Sequence, residues 1–273
     1  MTFALAIPIG LLIGLTMGAL GGGGSILTVP ALVYVLGQNT QAATTGSLLI
    51  VGVTAMAGMA VHHRAGQVRV SQGVAFGVLG IAGSYVGSLL SVRVAPEVLL
   101  AAFSVLMLVV AAMMFTRSRR SQDASDTGGA SGQNEVPIMT VRPSFTLVWP
   151  RALKVIITAS AVGLLTGFFG VGGGFAVVPA LVLALGFTMP AAVATSLLVI
   201  AINSASALIS RAGHGLHLDW TLIGVFALAA IVGSLFGGRL SARVRPERLT
   251  AAFTVLLVVV GLYTAARSLP QLV

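Results

Sequence analysis

Long uninterrupted apolar stretches, broken by short polar connections, set the pattern of this chain. Stretches of roughly 18 to 23 apolar residues suffice to cross a hydrocarbon core of about 30 Å as a helix. They occur at 3–20, 42–61, 70–92, 97–116, 191–210, 220–238 and 247–266, with 152–170 of the same character. Each predicts a membrane-spanning helix. Two shorter apolar runs, 26–37 and 175–186, follow glycine clusters and are too short for a plain crossing. Between the two series lies 117–151, which opens with Arg117, Arg119 and Arg120 and continues through Ser, Asp, Gly, Gln and Asn. Such a segment cannot bury a core. The expected organisation is a first transmembrane repeat at 1–116, a flexible hydrophilic linker at 117–151 and a second transmembrane repeat at 152–273.

Composition strengthens this picture. Residues of the hydrophobic set make up 57% of the 273 and charged residues only 8%, against about 25% charged in a soluble domain. There are too few charges to coat a soluble particle, so a water-soluble fold is excluded, as are disordered, collagen-like and coiled-coil readings. The absence of cysteine removes disulfides, thiolate metal sites and cysteine nucleophiles. A net charge of +9 would suit nucleic acid if it formed one basic face, but these cations are scattered between apolar runs. The partner they imply is the lipid bilayer, where basic residues collect in cytoplasmic loops. Residues 1–20 carry no Lys or Arg, so the first apolar run reads as part of the mature protein and not as a signal peptide.

The two series are copies. Shifting the chain by 149 residues brings Gly14, Gly18, Gly21, Gly23, Gly24, Pro30, Gly37 and Ser47 onto Gly163, Gly167, Gly170, Gly172, Gly173, Pro179, Gly186 and Ser196. With one inserted residue, Gly83, Gly87, Ser91, Arg93, Pro96, Glu97 and Phe103 fall on Gly233, Gly237, Ser241, Arg243, Pro246, Glu247 and Phe253. The fold class is therefore all-α, a polytopic transmembrane helix bundle of two internal repeats, each with a glycine-broken helix or hairpin. Charge arbitrates between these options. If 3–37 crosses once, the 15 basic residues divide ten against five between the two sides. If it is a hairpin, twelve share one side and only Arg93, Arg211 and Arg267 lie opposite. The positive-inside rule favours the hairpin, hence inverted repeats with a cytoplasmic linker and both termini outside.

The clusters Gly21–Ser25 and Gly170–Gly174 interrupt helices at membrane depth, where irregular backbone is tolerated only if it is buried in protein or lines a watery cavity. The amides that begin the following short helix favour an anion, and broken transporter helices aim such amides at substrate. Gly22, Gly23, Gly24, Ser25, Gly172, Gly173 and Gly174 are the first candidate binding residues. Thr45 and Ser47 on one helix, with Thr195, Ser196 and Asn203 on its counterpart, are candidates for a neutral polar lining. Thr54 corresponds to Asn203, and Ser196 and Asn203 lie two helical turns apart on one face. The four-residue spacings Gly10, Gly14, Gly18 and Gly83, Gly87, Ser91 predict close helix packing. His62, His63 and Arg64 end one helix and are expected as snorkelling interfacial residues, since adjacent histidines on a regular helix cannot both face one metal. Asp219 before Trp220 predicts an N-cap beside an interfacial tryptophan.

The six carboxylates, Glu97, Asp123, Asp126, Glu135, Asp219 and Glu247, all fall in loops or at helix ends. No apolar run carries an acid suited to a proton relay. An interior-negative potential drives a monovalent anion outward by about 2.3 kcal/mol per 100 mV, which serves an anion exporter without such an acid. Neither a Gly-x-Ser-x-Gly elbow nor His-Glu-x-x-His occurs, so an intramembrane enzyme is disfavoured, and no cofactor or metal motif is present.

The two glycine clusters run into Val-Pro-Ala-Leu (Gly21–Leu32 and Gly170–Leu181) and are followed by Ala-Thr-Thr-Gly-Ser-Leu-Leu and Ala-Val-Ala-Thr-Ser-Leu-Leu. In this combination the chain resembles the sulfite exporter TauE/SafE family of bacterial membrane permeases, over nearly everything outside the linker. The resemblance implies a multi-pass protein of the bacterial inner membrane that moves a small sulfur-containing anion, such as sulfite or an organosulfonate. Alternating access about a central site is the expected mode, with a passive anion channel as the alternative. The first cluster reads Gly-Gly-Gly-Gly-Ser where the second reads Gly-Val-Gly-Gly-Gly, so the two sets of donors differ in detail.

Overall fold

The computed structural model describes residues 2–38, 40–91, 96–126, 149–169, 174–211 and 219–268. Ten α-helices follow in order: α1 (Thr2–Leu20), α2 (Ser25–Pro30), α3 (Thr40–Arg64), α4 (Val70–Ser91), α5 (Pro96–Asp126), α6 (Trp149–Phe169), α7 (Gly174–Leu183), α8 (Met189–Arg211), α9 (Trp220–Ser241) and α10 (Pro246–Ser268). A 3₁₀ turn, Gly21–Gly24, joins α1 to α2, and a π-helical turn, Ala31–Val35, follows Pro30, whose missing N–H prevents a regular ladder there. No strand occurs among the described residues. Among the described residues six stretches are long and apolar enough to cross a membrane, the first of them Leu5–Val33, which includes the glycine turn.

That turn reverses the chain. Gly21 has a φ of +70°, the left-handed geometry that ends helices and that glycine adopts without strain. Three residues later Gly24 lies against Ile13 and Met17 of α1, so α2 runs back along the helix that precedes it. Contacts elsewhere fix the helix directions. Gly14 meets Ala230 and Gly18 meets Ser234, so α1 and α9 run the same way. Gly46 meets Ile223 and Gly238 meets Val61, which aligns α3 with α9. Gly83 meets Ser160 and Leu164, and Gly87 meets Leu164 and Phe168, so α4 runs with α6; Gly73 and Gly77, against Leu198 and Ile202, align α4 with α8. Gly52 meets Ser204 whereas Gly58 meets Leu197, so α3 and α8 are antiparallel. Thus α1, α3 and α9 point one way and α4, α6 and α8 the other. Because α1 and α3 are parallel, the segment between them runs back. The same relation holds for α6 and α8 around α7.

Helix pairing is reciprocal between the halves. The most extensive contacts are α1 with α9, α4 with α6, α5 with α10 and α3 with α8. Exchanging α1 with α6, α3 with α8, α4 with α9 and α5 with α10 leaves this set of pairs unchanged. The expected small-residue ridges form these seams: side chains added at Gly14, Gly18, Gly83, Gly87, Gly163, Gly233 or Gly237 would overlap the facing backbone. Helix α7 is enclosed, with Phe175, Val177, Val178 and Leu181 wholly buried, and Phe175 meets the Phe103 ring of α5 edge-on at 4.9 Å. Facing outward, the long helices expose large apolar side chains such as Leu12, Met56, Val78, Val105, Ile157, Leu228 and Val255. In water this would be an aggregation surface; in lipid it is the solvated face.

The helix starts read from sequence hold. Helix α10 opens at Pro246 with Glu247 in its first turn, and Asp219 caps α9 by accepting from the Leu222 amide at 3.1 Å. Helix extends into both ends of the segment expected as linker. Helix α5 continues to Asp126 and α6 begins at Trp149, because Arg117–Asp126 has no glycine or proline to end a helix that an apolar stretch has already nucleated.

Candidate functional site

The reversed segment brings its glycines against four different neighbours. Gly21 lies against Ser196 and Val193 of α8, Gly22 against the backbone of Gly174 at the start of α7, Gly23 against Phe253 and Leu256 of α10, and Gly24 against α1. All four are buried. The contact of Gly22 with Gly174 joins the two halves: a Cβ on either would run into the other's main chain. Ser25 stands beside it, donating from Oγ to the Gly22 carbonyl at 2.7 Å, and a Cβ on Gly174 would lie 2.6 Å from that Oγ. On α8, Ser196 donates to the Val193 carbonyl at 2.8 Å and is wholly buried. Gly21, Gly22, Ser25, Gly174 and Ser196 therefore form one small polar cluster at the meeting of the two halves.

Other candidates are placed around this cluster rather than in it. Thr195 is turned toward α4, where its Oγ1 accepts from the Arg69 amide at 3.2 Å, so it fastens the start of α4 to α8. Thr45 and Ser47 are buried on α3. Asn203 sits where α8 faces Gly80 of α4. Its Oδ1, the Oγ1 of Thr54 and the Oγ of Ser204 are buried without a hydrogen-bond partner, an uncommon state that calls for an explanation. Thr54 and Asn203 are 149 residues apart, the offset expected from the sequence between the two halves. Gly172 and Gly173 lie outside the described residues, as do His214 and His217.

Of the glycine cluster, then, Gly22 meets the start of α7, Gly21 and Gly23 meet α8 and α10 of the same half, and Gly24 packs on α1. Sequence reasoning treated the cluster as one donor array because a run of identical residues carries no sign of direction. It also missed His62. His63 and Arg64 are exposed as expected, but His62 is turned inward and 2% exposed, with Nε2 3.0 Å from the Gly18 carbonyl and Nδ1 3.0 Å from Gln67 Oε1. Gln72 Oε1, a further buried acceptor without a partner, gave no signal in the sequence. Among the described residues no three His, Asp or Glu side chains converge as metal ligands.

A multi-pass helical bundle with a polar cluster where its two halves meet fits the class of membrane transporters. Within it, residues 6–264 match the family described as sulfite exporter TauE/SafE, and the chain belongs to that family. It is similar to a protein of Xylella fastidiosa named probable membrane transporter protein, 32% identical, the match covering 96% of this chain and 94% of the relative. It is also similar to the Bacillus subtilis probable membrane transporter protein YunE, 27% identical over 95% of this chain and 94% of the relative. No solved structure matches it significantly. The protein is a multi-pass membrane transporter and not an enzyme.

Proposed function

We propose that the protein is a bacterial inner-membrane permease that exports a small sulfur-containing anion, sulfite or an organosulfonate, by alternating access about the Gly22–Gly174 contact. The observation that carries this reading is that contact itself: two reversed segments, one from each half, touch main chain to main chain with buried serines beside them. The directions of α1, α3 and α9 against α4, α6 and α8 support a further part of it. Each half makes five helical passages, counting the returning α2 or α7, and an odd number inverts the second half relative to the first. The charge distribution then puts the linker in the cytoplasm.

In the described conformation the Ser25 and Ser196 hydroxyls spend their single protons on backbone carbonyls. An arriving anion competes for those protons by rotation of the serine side chains, and the amides of Gly22 and Gly174 supply further donors once the segments part; Gly172 and Gly173 are proposed as donors from the sequence alone. Thr45, Ser47 and Asn203 flank the path. Among the described spans the one carboxylate, Glu247, stands in the first turn of α10, so none lies mid-span to repel the anion. Proteoliposomes test the proposal: labelled sulfite should leave loaded vesicles unmodified and with saturating kinetics. Flux that rises linearly with concentration would establish a channel instead, and no flux of sulfite, sulfoacetate or taurine would remove the substrate class.

A further inference from the structure

The buried imidazole of His62 has no part in the site just described, yet it is tied to it. α1 ends at Leu20 because Gly21 takes the chain into the left-handed region, which leaves the last carbonyls of α1 without the amides that would continue its ladder. His62, near the end of α3, reaches the Gly18 carbonyl with Nε2 at 3.0 Å. A carbonyl only accepts, so Nε2 carries the proton. On the other side of the ring Nδ1 faces the Gln67 carboxamide at 3.0 Å, in the turn between α3 and α4. A carboxamide offers an acceptor at one end and donors at the other. With Oε1 toward Nδ1 it accepts from a cationic ring; turned over, it donates to a neutral one. Both charge states are therefore satisfied in place, each with its own arrangement of the α3–α4 turn.

We propose that His62 is a pH-responsive latch on the first hairpin, joining the end of α1, three residues before its reversal, to the α3–α4 turn and controlling how readily the Gly22–Gly174 contact opens. Histidine is the side chain whose charge ordinarily changes between about pH 5 and 8, and a cation at a helix C-terminus is held by the helix dipole. Protonation tightens the tie to α1 and slows opening; loss of the proton turns the Gln67 amide over, changes the α3–α4 turn and eases it. Among the described residues, the elements around the ring bring no competing titratable group to it. α1 has none in its sequence, Gly238 is the α9 residue beside Nε2, and the nearby ionisable residues Arg239 of α9, Arg69 before α4 and His63 and Arg64 of α3 are all exposed. Glu247, in the first turn of α10, is exposed too.

The latch rests on the transport reading for its consequence, but its existence is tested without transport. Hydrogen exchange of amides 18–24 is measured on the full chain in nanodiscs at pH 5.5 and 7.5, corrected for the intrinsic pH dependence of exchange. Protection should be about tenfold greater at the lower pH in the wild type, equal at both in His62→Gln, and as in the wild type in His63→Gln. If His62→Gln folds poorly, Gln67→Met keeps the bond to Gly18 and should move the midpoint of the protection change. In proteoliposomes, methanesulfonate, whose charge is constant over this range, should show a pH-dependent efflux that His62→Gln removes. The same exchange profile in wild type and His62→Gln, or an unmoved midpoint in Gln67→Met, overturns the latch. A normal exchange result with no flux of any sulfur anion counts against the transport reading alone.

Discussion

Placing a methyl group on Gly22 separates a site role from a packing role. Its ideal position overlaps the backbone of Gly174, and neither neighbour has a side chain that could rotate away. Overpacking ordinarily costs about 1–3 kcal/mol, and here relief requires the two segments to move apart, so the upper end applies. If that penalty falls on conformations in which the segments touch, their population drops by roughly 100-fold, and a cycle passing through them slows by a similar factor. Gly22→Ala should therefore reduce sulfite efflux from proteoliposomes by about two orders of magnitude while protein still inserts and purifies. Two comparisons anchor the result. Gly224 has open space where its Cβ would be, and alanine there should leave flux unchanged and raise thermal stability slightly, by about 0.5–1 kcal/mol from helix propensity. Gly14 packs on Ala230 within the α1–α9 seam, and its alanine variant should lose folded protein first. Flux in Gly22→Ala within about threefold of wild type, or a loss of folded protein equal to that of Gly14→Ala, would refute the reasoning.

Neighbouring hydroxyls on α8 should part company: Thr195→Val removes the acceptor for the Arg69 amide and should cost about 1–2 kcal/mol of stability with KM nearly unchanged, whereas Ser196→Ala should raise KM by about tenfold, both read from melting curves and concentration-dependent flux. For orientation, a cysteine at Ser131 of this cysteine-free chain should escape an impermeant thiol reagent added to intact cells and one at Gln271 should react; the opposite result reverses the topology. For energetics, with equal pH on both sides and sodium omitted, a valinomycin potential of about 100 mV should alter sulfite efflux, since a net monovalent charge feels roughly 2.3 kcal/mol; unchanged flux would mean electroneutral movement.

Spans were legible because lipid imposes a length and a composition on each helix, and the observed ends of α3, α4, α8, α9 and α10 fall within a few residues of the apolar stretches. Helix seams were legible for a related reason. A glycine every fourth residue has one geometric use between membrane helices, and Gly14, Gly18, Gly83 and Gly87 all have it. The glycine cluster was harder. Its composition announces a break, but the work of each residue depends on where the reversed chain comes to rest: Gly22 against Gly174, Gly23 against α10 and Gly24 against α1. Direction is a tertiary property, and periodicity along one helix does not contain it.

His62 shows the same limit in a polar residue. Its position near the end of α3, next to His63 and Arg64, carries every sign of an interfacial side chain, and for those two neighbours that sign is correct. His62 reaches inward to a carbonyl 44 residues earlier in the chain, in the last turn of α1, where a helix that ends leaves its carbonyls to seek other donors. A glycine that reverses the backbone thus ends α1 where a histidine on a parallel helix can reach it. The break that brings Gly22 to Gly174 and the tie that holds it are consequences of one residue's positive φ. Alanine at Gly21, strained at a φ of +70° and crowded by Ser196, should therefore disturb the hairpin contact and the His62 bond together, whereas His62→Gln disturbs only the second.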